Sequence, residues 1–141
     1  MGWGGYSYLS ASSRAADRVD MSAKEIFKSR SMNQKMDIRD KIRECCDSEE
    51  HPNTLPIIIA LDVTGSMGRI PENLIKGGFA EIMNSIYEAG VVDPQVCFLG
   101  IGDPIYDDAP LQVAQFETSD QTLDEWLESM WIEGGGGGNN F

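Results

Sequence analysis

The feature that most constrains this chain is a stretch that changes character abruptly. Leu55-Pro56-Ile57-Ile58-Ile59-Ala60-Leu61 is continuously apolar and rich in β-branched residues, and it breaks into Asp62-Val63-Thr64-Gly65-Ser66. An apolar run without polar alternation belongs to a strand covered on both faces, which points to a central parallel strand. A parallel partner needs a crossover, and the next segment supplies one. Pro71 suits the first turn of a helix. Leu74, Ile75, Phe79, Ile82, Met83, Ile86 and Tyr87 then recur at amphipathic spacing, up to Gly90. Gly77 and Gly78 inside this helix cost up to about 1 kcal/mol each against Ala, and are expected to permit a close approach between helix and sheet.

Val96-Cys97-Phe98-Leu99-Gly100-Ile101 reads as a second buried strand, and Gly102-Asp103-Pro104 opens a connection. Leu111 to Phe116 alternates like an edge strand with one face on the core. Residues 120–132 form a further helix, with Leu123, Trp126, Leu127, Met130 and Trp131 on one face. Strand, helix, strand, strand, helix is the beginning of an open three-layer α/β sheet. In a sheet of three, the Ile57–Leu61 strand would stand at an open edge, although its composition asks for neighbours on both sides. Part of the sheet is therefore expected to be missing.

The first fifty residues read differently. Residues 1–20 are rich in Gly, Ser and aromatics without a period, as in a flexible or partner-ordered arm. Residues 22–46 look helical, with Ile26, Phe27, Met32, Met36, Ile38, Ile42 and Cys45 as a broken apolar stripe. Ser22 with Glu25 fits a capping box. This stripe should pack on the domain that follows; a basic RNA-binding helix is the sharper alternative, disfavoured by its balanced charge. The turn cluster from Asp47 to Asn53 ends it. The division expected is an arm over 1–20, a helical extension and linker over 21–54, and an α/β unit over 55–141.

Charge narrows the partners. The net charge is −12, yet residues 1–50 carry nine Lys/Arg against nine Asp/Glu, so the whole excess sits on residues 51–141. Such a surface repels phosphate backbones and favours divalent cations or basic partners. No apolar run reaches the length of a membrane span, and Met1-Gly-Trp-Gly-Gly lacks the basic head and apolar core of a signal peptide, so a cytoplasmic protein is expected. Cys45, Cys46 and Cys97 cannot all pair within the chain and have no zinc-type spacing, which suits reduced thiols.

In open α/β sheets, ligands bind at the carboxyl ends of strands. Asp62, Thr64 and Ser66 sit at such an end, presenting a carboxylate and two hydroxyls at alternate positions, with Gly65 allowing a sharp turn. Oxygen ligands of low charge suit hard Mg²⁺, and a carboxylate beside the hydroxyls can orient the ion's waters. This string, with the strand before it, resembles the first strand and metal-ion-dependent adhesion site of von Willebrand factor type A domains, whose pattern is Asp-x-Ser-x-Ser. Thr64 replaces the first Ser and keeps its hydroxyl. Val96–Asp103 is similar to the family's second strand ending in Gly-Asp, and Val113–Phe116 to its antiparallel third strand. Gly134 to Gly138 fall where the family has Gly-Gly-Thr-x-Thr.

The resemblance spans about residues 55–141 and is sharp only at Asp-x-Thr-x-Ser. It implies a Rossmann-like open sheet truncated after its third strand and following helix, and a non-enzymatic, metal-dependent protein-binding module. The ion would be Mg²⁺, with Ca²⁺ or Mn²⁺ as alternatives. Thr64 and Ser66 would ligate directly, Asp62 through water, and Asn139 (or Asn140) would stand where the family has Thr. The fourth strand, with the Asp that closes the family's site, has no counterpart, so a fragment, a sheet completed by a partner chain or oligomer, or a metal-incompetent relic is expected. The family typically binds an acidic side chain that completes the coordination. Here the acidic surface opposes such a partner at long range, and the ion must carry the attraction. The alternative function is a structural or assembly component that uses the α/β core as a scaffold.

Other readings compete. Asp62 or Thr64 could simply cap the following helix. A phosphoryl-transfer enzyme with Asp62 as nucleophile would want a second carboxylate where Thr64 stands. Asp103, Asp107 and Asp108 read as a solvated acidic loop rather than a second cation site. His51 has no evident nucleophile to serve. Trp3, Tyr6 and Tyr8 could anchor a partner or lie in a loose terminus, and Trp126 and Trp131 read as core or as an interface.

Overall fold

The apolar run becomes β1 (Thr54–Asp62) in a computed structural model that describes residues 4–64, 69–105 and 109–132. The described chain also forms α1 (Tyr8–Asp17), α2 (Ala23–Ile26), α3 (Arg69–Asn73), α4 (Phe79–Glu88), β2 (Asp93–Ile101), β3 (Leu111–Val113) and α5 (Asp120–Glu128). The architecture is α/β, with an open mixed sheet in the order β1-β2-β3. β1 runs parallel to β2 from Thr54 opposite Asp93 to Asp62 opposite Ile101. β3 is antiparallel, with Leu99 opposite Val113, and a bridge from Val96 to Glu117 extends the return.

β2 is the buried strand. Its first six residues are inaccessible, as expected of an apolar run with strands on either side. β1 is the open edge: only Leu61 of its nine residues is fully buried, and Ile58 is 59% exposed. The Val63 N–H donates to the Ile101 carbonyl (3.0 Å), which fixes the parity of the strand. Odd-numbered backbone groups of β1 bond inward to β2, and even-numbered ones face outward. Two outward positions are already blunted. The Asp47 carboxylate accepts from the Thr54 N–H (2.9 Å) and hydroxyl (2.5 Å), and Pro56 has no N–H to offer.

Alternation along β2 sends Phe98 and Gly100 to one face and Gln95 and Cys97 to the other. On the first face Phe79 of α4 meets Phe98 edge-on at 5.0 Å, and a Cβ on Gly100 would stand 3.1 Å from Met130, just past α5. Helices α4 and α5 thus share one face, and α1 packs against both of them. Residues 27–50 contain one 3₁₀ turn, Gln34–Met36, and are otherwise irregular; this strap starts beside α5, where Ser29 bonds Ser129, and its stretch from Ile42 to Cys46 lies on the other face of the sheet. Among the described residues, the expected three-layer arrangement is therefore helical on one side only. Gln95 fastens the strap by a two-way amide contact with the backbone of Cys46, at 3.4 Å in each direction, and Gln115 does the same with Ile42 and Glu44.

Residues 22–46 do not form the expected helix. The capping box is present, since Ser22 accepts from Glu25 N–H and Glu25 from Ser22 N–H, but α2 ends after one turn. Beyond it, Asn33 and Asp37 each bond the backbone two residues on, at Lys35 and Arg39, and Asp40 takes φ 61°. Such local bonds compete with helix formation. Residues 1–20 also differ from expectation, because α1 is docked rather than loose. Arg14 holds Asp124 (2.6 Å) and Asp120, and Arg18 pairs with Glu128. The Ser7 amide donates to Asp120 at 3.0 Å. Burial opposes ionisation of Asp120, yet Arg14 and the Ser7 amide hold its pKa below the usual value.

The helix from Pro71 to Gly90 is broken where its two glycines fall. Residues 74–78 form a wide π-type turn, and Gly77 has φ 142°, which a side chain would resist. A Cβ on Gly78 would sit 3.1 Å from the Asn73 carbonyl. The glycines therefore serve a kink, not the expected approach of helix to sheet. Gly90 (φ 97°) ends α4 as anticipated.

Candidate functional site

Asp62 and Thr64 meet at the carboxyl end of β1. Leu61 and Val63 point into the core, at 4% and 1% exposure, so strand alternation turns Asp62 outward. Its Oδ1 accepts two hydrogen bonds from Thr64, one from the backbone N–H (2.9 Å) and one from the hydroxyl (2.6 Å). The hydroxyl proton is thereby committed to Asp62. The same two bonds close the turn locally, so Asp62 sets the entry to the loop with or without an ion.

Of the four expected ligands, Asp62 and Thr64 are brought together, whereas Ser66 and Asn139 lie outside the described residues, as do Asn140 and Gly134 to Gly138. Asp103 follows β2 at the same end of the sheet and accepts from the Ile105 N–H at 2.7 Å, while Asp107 and Asp108 lie outside the described residues. Among the described residues, no group of three His, Cys, Asp or Glu side chains is placed to hold a metal ion. An ion at Asp62 would depend on hydroxyl ligands and water.

His51 is buried and holds the two parallel strands at their start. Its Nδ1 lies 3.0 Å from Asp93 Oδ1, and its Nε2 lies 2.6 Å from the Gly4 carbonyl. Both partners are acceptors, so the doubly protonated ring satisfies both, and the bond to Asp93 raises its pKa against the effect of burial. Tyr6 stacks at a tilt on Tyr87 (5.7 Å) and the Tyr8 hydroxyl donates to Glu81 (2.5 Å), so both serve the chain's own helices. Trp3 lies outside the described residues. Trp126 carries the Arg43 guanidinium 5.5 Å over its ring. All three cysteines are free, and burial pushes the Cys97 thiol up to about 11.

A cleft absent from the sequence reading lies between α2 and the segment after α5. Lys24, Lys28 and Arg30 line it together with Phe27, Trp131 and Ile132, around about 490 Å³ of space. Trp131 is held there by Gln112, whose amide exchanges two 2.9 Å hydrogen bonds with the Trp131 backbone. Gln112 stands opposite Gly100, next to the last residue of β2, so the cleft lies toward the end of the sheet that carries Asp62 and Thr64. The spacing of these cations is legible in the sequence. Their significance was hidden by the neutrality of residues 1–50 as a whole.

Compared with known proteins, the chain matches no family model, no curated protein and no solved structure. Among the described residues, no helix is long and apolar enough to cross a membrane.

Proposed function

We propose that this chain is a divalent-metal-dependent protein-binding module of the von Willebrand factor type A kind, built on a Rossmann-like sheet, and not an enzyme. The observation that carries the reading is the Asp62–Thr64 pair at the carboxyl end of a parallel strand, with its hydroxyl proton turned to the carboxylate. Thr64 and Ser66 would ligate Mg²⁺, Asp62 would orient its water, and Asn139 would offer an amide oxygen. When bound, the ion supplies a positive centre that an acidic side chain of a partner protein completes. Thermal unfolding with and without Mg²⁺ tests this. The transition of the natural chain should rise with Mg²⁺, and neither Thr64→Ala nor Ser66→Ala should respond. A natural chain indifferent to Mg²⁺, Mn²⁺ and Ca²⁺ alike removes the metal from the function.

A second reading, an assembly component, is favoured by the open edge of β1. From Ile58 to Asp62 the outward backbone groups have no strand beside them among the described residues. A strand of a partner chain added there would complete the sheet by backbone hydrogen bonds. Its mark would be slow amide exchange at Ile58 and Ala60 together with a native mass above 15.5 kDa.

A further inference from the structure

We propose that the cleft of Lys24, Lys28 and Arg30 is a recognition site for an acidic peptide segment that carries an apolar side chain. Six of the eleven Lys and Arg side chains are engaged within the chain. Arg14, Arg18, Arg39 and Lys76 are spent on the chain's own carboxylates. Arg43 and Lys41 donate to backbone carbonyls. Lys24, Lys28, Arg30, Lys35 and Arg69 form no ion pair among the described residues, and the first three of them share this cleft, although the chain carries more than twice as many acids as bases. In a molecule of net charge −12, three cations gathered on one cleft without an ion pair among the described residues form a patch that attracts carboxylates.

The walls name the rest of the ligand. Phe27, buried at 7%, and the half-buried Trp131 and Ile132 give the cleft an apolar lining. An apolar side chain can occupy it while flanking carboxylates meet the cations. Both sides of the cleft are anchored. The Ser29 hydroxyl donates to the Ser129 carbonyl at 3.0 Å, and Gln112 fixes Trp131. The lining therefore exists before a ligand arrives, which lowers the cost of binding. A nucleic acid fits less well, because its extended phosphate backbone would run from these cations onto an acidic surface.

The cleft stands without the metal, but it extends the proposed function. It supplies an attraction for an acidic partner at the end of the sheet where the Asp62 site lies.

A fluorescein-labelled Glu-Glu-Phe-Glu-Glu peptide tests the assignment, titrated into the full chain in EDTA at low salt, with Lys-Lys-Phe-Lys-Lys and inorganic phosphate as competitors. The acidic peptide should bind and weaken as salt is added. The triple variant K24Q/K28Q/R30Q should bind about tenfold more weakly, with its thermal transition unchanged because the three side chains are exposed. K24R/K28R should retain binding, and Trp131 fluorescence should respond to the peptide in the natural chain. Equal binding by the triple variant overturns the proposal, as does preference for the basic peptide or displacement by phosphate at matched concentration. Peptide binding that requires Mg²⁺ and is lost in Thr64→Ala but not in the triple variant also overturns it, while supporting the metal site. Binding in EDTA by a chain indifferent to Mg²⁺ supports the cleft and sinks the metal reading alone.

Discussion

β1 and β2 lie side by side in parallel, nine residues each, and both are strongly apolar, yet their surroundings are opposite. β2 has a strand on each flank, helices on one face and the Ile42 to Cys46 stretch of the strap on the other. β1 shares the helix face but has no outer neighbour among the described residues, and Leu55 and Ile58 remain 46% and 59% exposed. Composition states what a strand tolerates; neighbours decide what it buries. The comparison also separates two ways of ending a sheet. At its start β1 is blunted by Asp47 and Pro56, as an edge strand should be, while its second half has no strand beside it among the described residues.

The largest expected effect follows from the buried strand. Phe98 is fully buried and packs edge-on against Phe79, so Phe98→Ala removes a ring from the centre of the helix face. A loss of about 3–5 kcal/mol is expected, read as a fall in the denaturant midpoint with the slope unchanged. A loss near 1 kcal/mol would mean that β2 is not the centre of the core.

This contrast also marks how far the sequence could be read. The strands were legible because each is an unbroken or alternating apolar run, and α4 and α5 because their apolar residues keep helical spacing. Asp62 and Thr64 were legible because a polar string after a buried strand has few places to go. The open edge of β1 was legible from the count of strands, whereas its composition alone, which asks for neighbours on both sides, could not say what lies beside it. The strap was misjudged because Asn33 and Asp37 redirect the backbone by single hydrogen bonds that no periodicity records. The docking of α1 depends on contacts such as Arg14 to Asp124, more than a hundred residues apart. Gln95, Gln112 and Gln115 are the same case, since each serves as a surrogate strand for an irregular segment and nothing in the local pattern announces it.

The helix layer over the sheet is sharpened by a second change. Arg14→Ala leaves Asp120 and Asp124, both nearly buried, without their main counter-charge. With Arg18 still on Asp124, a loss of about 2 kcal/mol is expected, smaller than that at Phe98. The pKa of Asp120 should also rise, since Arg14 is the main group holding it down against burial. Carboxyl titration by NMR and a denaturation series together check this. An unchanged stability would show that α1 is only loosely attached in solution.

His51 gives a smaller effect with a definite sign. It precedes β1, contacts Asp93 at the start of β2, and holds the Gly4 carbonyl with its other nitrogen. Its pKa is raised in the folded chain, so the protonated ring binds its partners better than the neutral one. The stabilisation is therefore fully present below the ordinary histidine value and is lost as pH rises through the raised one. The thermal midpoint should fall between mildly acidic and mildly alkaline solution. His51→Gln should flatten that dependence, because ordinary carboxylates stay ionised across the range. A natural chain whose midpoint rises over the same interval would reverse the assignment.

The smallest expected effect is the most informative about β1. Ile58 is more than half exposed, so Ile58→Lys gives up little burial in the chain as it stands, and a change within about 0.5 kcal/mol is expected of a surface substitution. A charge at a strand edge is also what keeps edges from pairing. If the free edge is free in solution, native mass and stability should both stay where they are. If Ile58→Lys costs as much as a core change or lowers the native mass, Ile58 is covered by another strand. The difference between β1 and β2 would then vanish in the assembled protein, and β1 would be the central strand its composition describes.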